Sequence, residues 1–191
     1  GIADFLASHP NKELEKRIDG YVDRIYAAQQ TEPTGYINTH TQLMENNHRW
    51  GDNGGLLRGQ HDVYNAGMLI EAGVHYYQAT GKTRLLEIAT RFADYMGPEP
   101  RKNIVPAHSG PEEAVMALYW LYKNEPELKD KLSIPVRESD YYNLATFWIE
   151  NRGHHCGFPL WGTWGYRKSE KWIKDACYHQ AEFGTHSRPS W

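Results

Sequence analysis

Apolar residues return at three- and four-residue intervals along most of this chain, and that period constrains it to packed helices more than any other feature does. From about Asn11 to Gln30, Leu14, Ile18, Tyr21, Val22 and Ile25 keep the spacing. Glu13, Glu15, Lys16, Arg17, Asp19 and Asp23 fill the intervals, which predicts an amphipathic helix ended by Glu32-Pro33-Thr34-Gly35. A second helix is predicted from about His61 to Thr80. There Tyr64, Met68, Ile70, Ala72, Val74 and Tyr77 make an apolar surface wider than a single stripe, so the helix is expected to be largely buried. A third, from about Thr83 to Met96, carries Leu85, Ile88, Ala89, Phe92 and Tyr95. It follows Gly81-Lys82 so closely that the two helices should run antiparallel.

After Gly97-Pro98-Glu99-Pro100 and a further loop, Pro111 opens a helix reaching about Lys123, and another runs from about Glu138 to Asn151. The apolar pattern of Leu85-Leu86-Glu87-Ile88-Ala89-Thr90 returns in Tyr141-Tyr142-Asn143-Leu144-Ala145-Thr146, and Gly97 and Gly153 each follow the helix they end. The expected fold class is therefore all-α, built from antiparallel helical hairpins with long polar loops. Its hairpins can form part of an α/α toroid, with inner helices around a pocket and long loops at one end, or a short α-solenoid. The polar stretch from Tyr36 to about Gln60 is expected to be such a loop and to line a site, because long connections in compact domains are more often functional than idle. The tail from Gly153 is rich in Gly, Trp and His and is expected to be irregular apart from a short helix near Ser169 to Tyr178.

With 191 residues and no Pro/Gly/Ser-rich linker, the chain reads as a single domain over 1–191. Hydrophobic residues make up 40% and charged residues 24%, and the formal charge is -3, which gives no electrostatic footprint for nucleic acid or anionic membranes. No apolar run approaches the roughly 20 residues that span a bilayer. The N-terminal Gly1-Ile2-Ala3-Asp4-Phe5-Leu6 lacks the basic and apolar regions of a signal peptide, and without an initiating Met the compartment stays open. Two cysteines, Cys156 and Cys177, are too few for a disulfide scaffold. The 7 Trp and 13 Tyr are more telling, since many lie near Gly, Asn and His. Such rings stack on sugar faces, and they serve equally as large core residues.

Several short motifs occur in a fixed order: Gln29-Gln30, Gly35-Tyr36-Ile37-Asn38-Thr39, Arg49-Trp50, His61-Asp62-Val63-Tyr64-Asn65-Ala66-Gly67, Gln78-Ala79-Thr80-Gly81-Lys82, and Pro106-Ala107-His108 with Glu112-Glu113. Read together over roughly residues 5–153, they resemble the N-terminal half of the catalytic domain of the β-L-arabinofuranosidase family, glycoside hydrolase family 127 and its relatives. The family pattern usually has His-Glu-Leu-Tyr where this chain has His61-Asp62-Val63-Tyr64, often a second His at the place of Met68, and Pro-Gly-His at Pro106-Ala107-His108. The departures point to a divergent branch.

The resemblance implies a hydrolase with an (α/α)6 toroid and accessory β-domains, acting on L-arabinofuranosides or related plant-glycan sugars. It also implies a zinc-associated cysteine nucleophile and a glutamate acid/base, because zinc keeps a thiolate deprotonated and able to replace the commoner carboxylate. In the family those groups, including an adjacent cysteine pair, lie in the second half of the toroid. This chain has no Cys-Cys pair, and six helical hairpins need roughly twice its length. The expectation is thus a partial domain, inactive alone, with no catalytic residue and no metal ligand of its own. Its partners are an oligosaccharide or polysaccharide substrate and the remainder of its own catalytic domain.

By resemblance, His61 and His108 line the sugar pocket, where an imidazole can both donate to and accept from hydroxyls. Asn38, Tyr64 and Trp50 are further substrate-binding candidates. His154-His155-Cys156 and Cys177-Tyr178-His179 match no common zinc spacing and read as loop residues. Glu112 and Glu113 point about 100° apart on a helix and cannot both face one substrate; their place near the helix start has a sufficient reason in the helix dipole. Two other functions fit the same residues: a non-catalytic carbohydrate-binding helical protein, and a toroid-type polysaccharide lyase or epimerase using His and Tyr as acid and base.

Overall fold

An orphan amide at a helix start can be satisfied by a side-chain acceptor, and two starts in this chain are capped in that way. A computed structural model describes residues 1–54, 61–97 and 110–151. Its α-helices are α1 (Ile2–Ser8), α2 (Lys12–Gln30), α3 (Thr39–Met44), α4 (Asp62–Thr80), α5 (Arg84–Met96), α6 (Pro111–Asn124) and α7 (Glu138–Asn151), with 3-10 turns at Asn46–Gly54 and Pro126–Lys131. The Asn11 side chain caps α2 by accepting from the Leu14 amide at 2.9 Å, and Asn38 caps α3 by accepting from Thr41 at 3.2 Å. Pro111 sits at the start of α6, where its missing N–H is no loss. No β-strand occurs among the described residues, so the all-α expectation holds.

The five long helices fall within a residue or two of their expected bounds. Local structure elsewhere is richer than the sequence pattern announced. The apolar pattern does not announce the N-terminal α1, and the polar connection from Tyr36 onward holds α3 and a 3-10 turn. These elements are too short for apolar periodicity to register and depend on capping and on contacts remote in sequence.

The helices stack in two layers. In one, α4 packs against α1 on one side and α6 on the other; in the second, α5 packs against α2 and, less extensively, α7. The α4–α5 and α6–α7 pairs join the layers as antiparallel hairpins. Close approach is built into α4: a Cβ at Gly73 would come within 2.6 Å of the Ala89 Cβ, and one at Gly67 within 2.7 Å of the Pro111 Cα. Only glycine allows both neighbours to sit that near. The main core runs through Val63, Ile70, Leu86, Phe92, Leu118, Tyr122, Tyr141, Leu144 and Trp148, all buried. A smaller cluster of Leu6, Val22, Tyr76, Leu85 and Ile88 seats α1 and α2. Among the described residues, no helix is long and apolar enough to cross a membrane.

Candidate functional site

The amino-terminal end of α4 gathers the residues of the 36–50 connection around one carboxylate. Asp62, in the first turn, is only 1% exposed. Its Oδ1 accepts from Tyr36 Oη at 2.6 Å, from Asn38 Nδ2 at 2.5 Å and, more weakly, from Thr41 Oγ1 at 3.4 Å. Its Oδ2 accepts from the Trp50 backbone amide at 2.8 Å. Burying an ionised carboxylate is tolerable where donors surround it, and here the positive end of the α4 dipole adds to them.

A second polar layer lies beside the first. Glu32 accepts from Arg49 Nη2 at 2.8 Å and from Thr34 Oγ1 at 2.7 Å. The Arg49 guanidinium, outweighing burial and helped by Thr34, pulls the Glu32 carboxyl down to about 2. Arg49 also lies over the Tyr36 ring, 4.5 Å from its centroid, so one cation serves a carboxylate and an aromatic face. The Tyr36 phenol is pushed well above its usual range, first by burial and then by its hydrogen bond to Asp62. The Tyr36 ring meets Trp50 edge-on at 5.5 Å and Phe92 at 5.7 Å, tying the connection into the core. Gln29 fastens the same segment from α2, donating to the Gly35 and Ile88 carbonyls at 2.8 and 2.9 Å.

Trp50 and His61 are the only non-glycine residues with positive φ among those described, at 57° and 58°. For side chains of this bulk the left-handed region costs on the order of 1–3 kcal/mol, so the surroundings must enforce it. Trp50 is 2% exposed, and its indole N–H donates to Tyr95 Oη at 3.3 Å. Asn38 is also buried, with its amide group shared between Asp62 and the cap of α3. By contrast His61 and Tyr64 are exposed, one helical turn apart, with ring centroids 6.2 Å from each other.

Four of the five sequence candidates thus collect at one end of α4: Asn38 and Trp50 inside, His61 and Tyr64 outside. His108 lies outside the described residues, as do His154, His155, Cys156, Cys177, His179 and the expected helix near Ser169. Glu112 is buried and Glu113 half-buried, in keeping with the divergent directions expected of adjacent helical residues. The motifs contain Tyr36, Arg49 and Asp62, and Glu32 marks the end of α2, but the sequence does not single out any of the four as a site residue. The available signal was an acidic residue opening a helix that is otherwise wide and apolar on its buried side.

Among the described residues, no three His, Cys, Asp or Glu side chains come together as a metal-ligand set.

Residues 1–187 match the family described as Beta-L-arabinofuranosidase, GH127 catalytic domain. A non-reducing end β-L-arabinofuranosidase of Bifidobacterium longum subsp. longum is 34% identical over 159 residues, which is 80% of this chain and 22% of that protein. A GH127 β-L-arabinofuranosidase from Geobacillus stearothermophilus T6 superposes with a TM-score of 0.64 at 29% identity, covering all of this chain and 25% of its own. Another GH127 β-arabinofuranosidase gives a TM-score of 0.59 at 31% identity over 76% of this chain and 22% of its own. The chain therefore spans about a quarter of the length of these relatives.

Proposed function

Because the chain belongs to the GH127 β-L-arabinofuranosidase catalytic-domain family, we propose that it forms one wall of the sugar pocket of a glycoside hydrolase that cleaves L-arabinofuranosides. The observation that carries this reading is the convergence of Asn38, Trp50, His61 and Tyr64 on the Asp62 end of α4 in a chain of that family. His61 and Tyr64 are the direct contacts in this proposal, with His108 as a third. Asn38 and Trp50, being buried, act through the Asp62 network. An exposed imidazole beside a phenol offers donors and acceptors to furanose hydroxyls and an aromatic edge to the ring.

The proposal includes the architecture. Among the described residues, and apart from Leu43 and Met44 on α3, most large exposed apolar side chains lie on the helices at the two ends of the stack: Ile2, Phe5 and Tyr21 on α1 and α2, and Trp120, Tyr142 and Ile149 on α6 and α7. The central α4–α5 hairpin shows only Tyr64. A helical stack with apolar ends supports continuation into an (α/α)6 toroid, whose remaining hairpins would cover them and carry the cysteine nucleophile, the zinc and the glutamate acid/base.

The test is release of p-nitrophenol from p-nitrophenyl β-L-arabinofuranoside by the full-length protein. Turnover is expected, with H61A lowering kcat/KM by about tenfold or more, the scale of a lost hydrogen bond to a hydroxyl. Dialysis against a chelator should abolish release and added zinc restore it. A full-length protein that binds the sugar without cleaving it, or that yields an unsaturated product insensitive to chelation, would defeat the proposal.

A further inference from the structure

Asp62 lies beside two residues with left-handed backbone. Trp50, at φ 57°, donates its amide to Asp62 Oδ2, and His61, at φ 58°, is the residue directly before it. The other carboxylate oxygen holds Tyr36 and Asn38 at 2.6 and 2.5 Å. A group 1% exposed and ringed by donors on both oxygens does not touch a substrate. What it can do is fix directions.

We infer that Asp62 is a positioning residue: it locks the 36–50 connection to the first turn of α4 and thereby sets the direction in which His61 presents its imidazole to the furanose. This rests on the proposal that His61 faces the sugar. His61 stands at the N-cap of α4, and its backbone there, φ 58° and ψ 25°, makes no side-chain capping bond. The direction of its Cα–Cβ bond follows from those angles, which the anchored neighbour Asp62 holds. A carboxylate suits the task better than an amide. Asn at this position has one acceptor oxygen, and its NH2 must face either the Trp50 amide or the Tyr36 and Asn38 donors, leaving at least one of them opposed by another donor. Small rotations of a backbone that carries a ligand-contacting ring are costly to function, since misplacement of about 1 Å is enough to weaken a reaction by orders of magnitude.

The experiment is a kinetic double-mutant cycle in the full-length protein, with p-nitrophenyl β-L-arabinofuranoside as the probe and D62N and H61A as the two changes. D62N alone is expected to lower kcat/KM by about tenfold, but by less than about threefold in the H61A background, because the group through which it acts is already gone. Should the two losses multiply, or should D62N alone stay within about twofold of the parent, Asp62 does not act through His61 and the inference is overturned. If H61A itself leaves kcat/KM unchanged, the sugar-facing reading of His61 falls and takes the inference with it. Where D62N does not accumulate as folded protein, Y36F carries the same cycle. It keeps the carboxylate and removes one 2.6 Å donor, so its loss should vanish in the H61A background; a loss that persists there overturns the inference.

Discussion

The two ends of α4 are both fastened by carboxylates, in opposite ways. At the amino-terminal end Asp62 is buried and surrounded by neutral donors. At the carboxyl-terminal end, Lys82 bridges Glu15 and Asp19 of α2, Arg84 pairs with Asp23, and Tyr76 donates to Asp19 at 2.8 Å, all along a surface cleft. Lys82 is 40% exposed and Arg84 56% exposed. Neutral donors at fixed distances in a dry site specify directions. Exposed ion pairs specify little more than proximity, because water and salt compete for each charge and long side chains adapt. One end is thus built to hold a geometry, and the other tethers α2 to the α4–α5 turn.

Three changes would break or sharpen that contrast. The largest effect is expected from Asp62→Ala, which leaves Tyr36 Oη, Asn38 Nδ2 and the Trp50 amide as buried donors without this acceptor. Each such group costs about 1–3 kcal/mol, so hydrogen-exchange protection of residues 36–50 should fall by about a hundredfold or more. Protection that survives would show that the core packing of Tyr36 and Trp50, and not the carboxylate, holds the connection.

An intermediate effect belongs to Arg49→Ala. Glu32, held down to about 2 against an ordinary 4.5, contributes stability that is complete above pH 4.5 and is lost as pH falls from there toward 2. Removing Arg49 takes away the largest cause, so the acid loss over that window should become shallower. Stability at neutral pH should drop by about 2 kcal/mol. An acid unfolding profile unchanged by the substitution would contradict the assignment.

The smallest effect is expected from Lys82→Ala, under about 1 kcal/mol and further reduced in high salt, read as a change of less than about tenfold in protection of the 81–83 turn. A larger, salt-insensitive change would mean that the two ends of α4 are more alike than their burial indicates.

Much of the fold is legible because helix formation is a local affair. Leu14, Ile18, Val22 and Ile25, or Leu85, Ile88, Ala89 and Phe92, declare their buried face within a few turns, and the short Gly81-Lys82 link leaves α5 little choice but to fold back on α4. The site is legible only in part. The motif order singled out Asn38, Trp50, His61 and Tyr64, and these do collect at one place. Yet nothing in the motif distinguishes Trp50, whose indole lies in the core, from Tyr64, which faces outward. That difference follows from the path of a connection whose local sequence has no period.

The sequence by itself determined the five long helices, their antiparallel pairing and the kinship that directs attention to the start of α4, because periodicity, short turns and motif order are properties of neighbouring residues. Only the tertiary structure decided that Asp62 is buried at the meeting of Tyr36, Asn38 and Trp50, and that Trp50 and His61 adopt left-handed backbone. The contacts among these groups span between 12 and 26 residues of chain, and their energies exist only after the layers have closed around them.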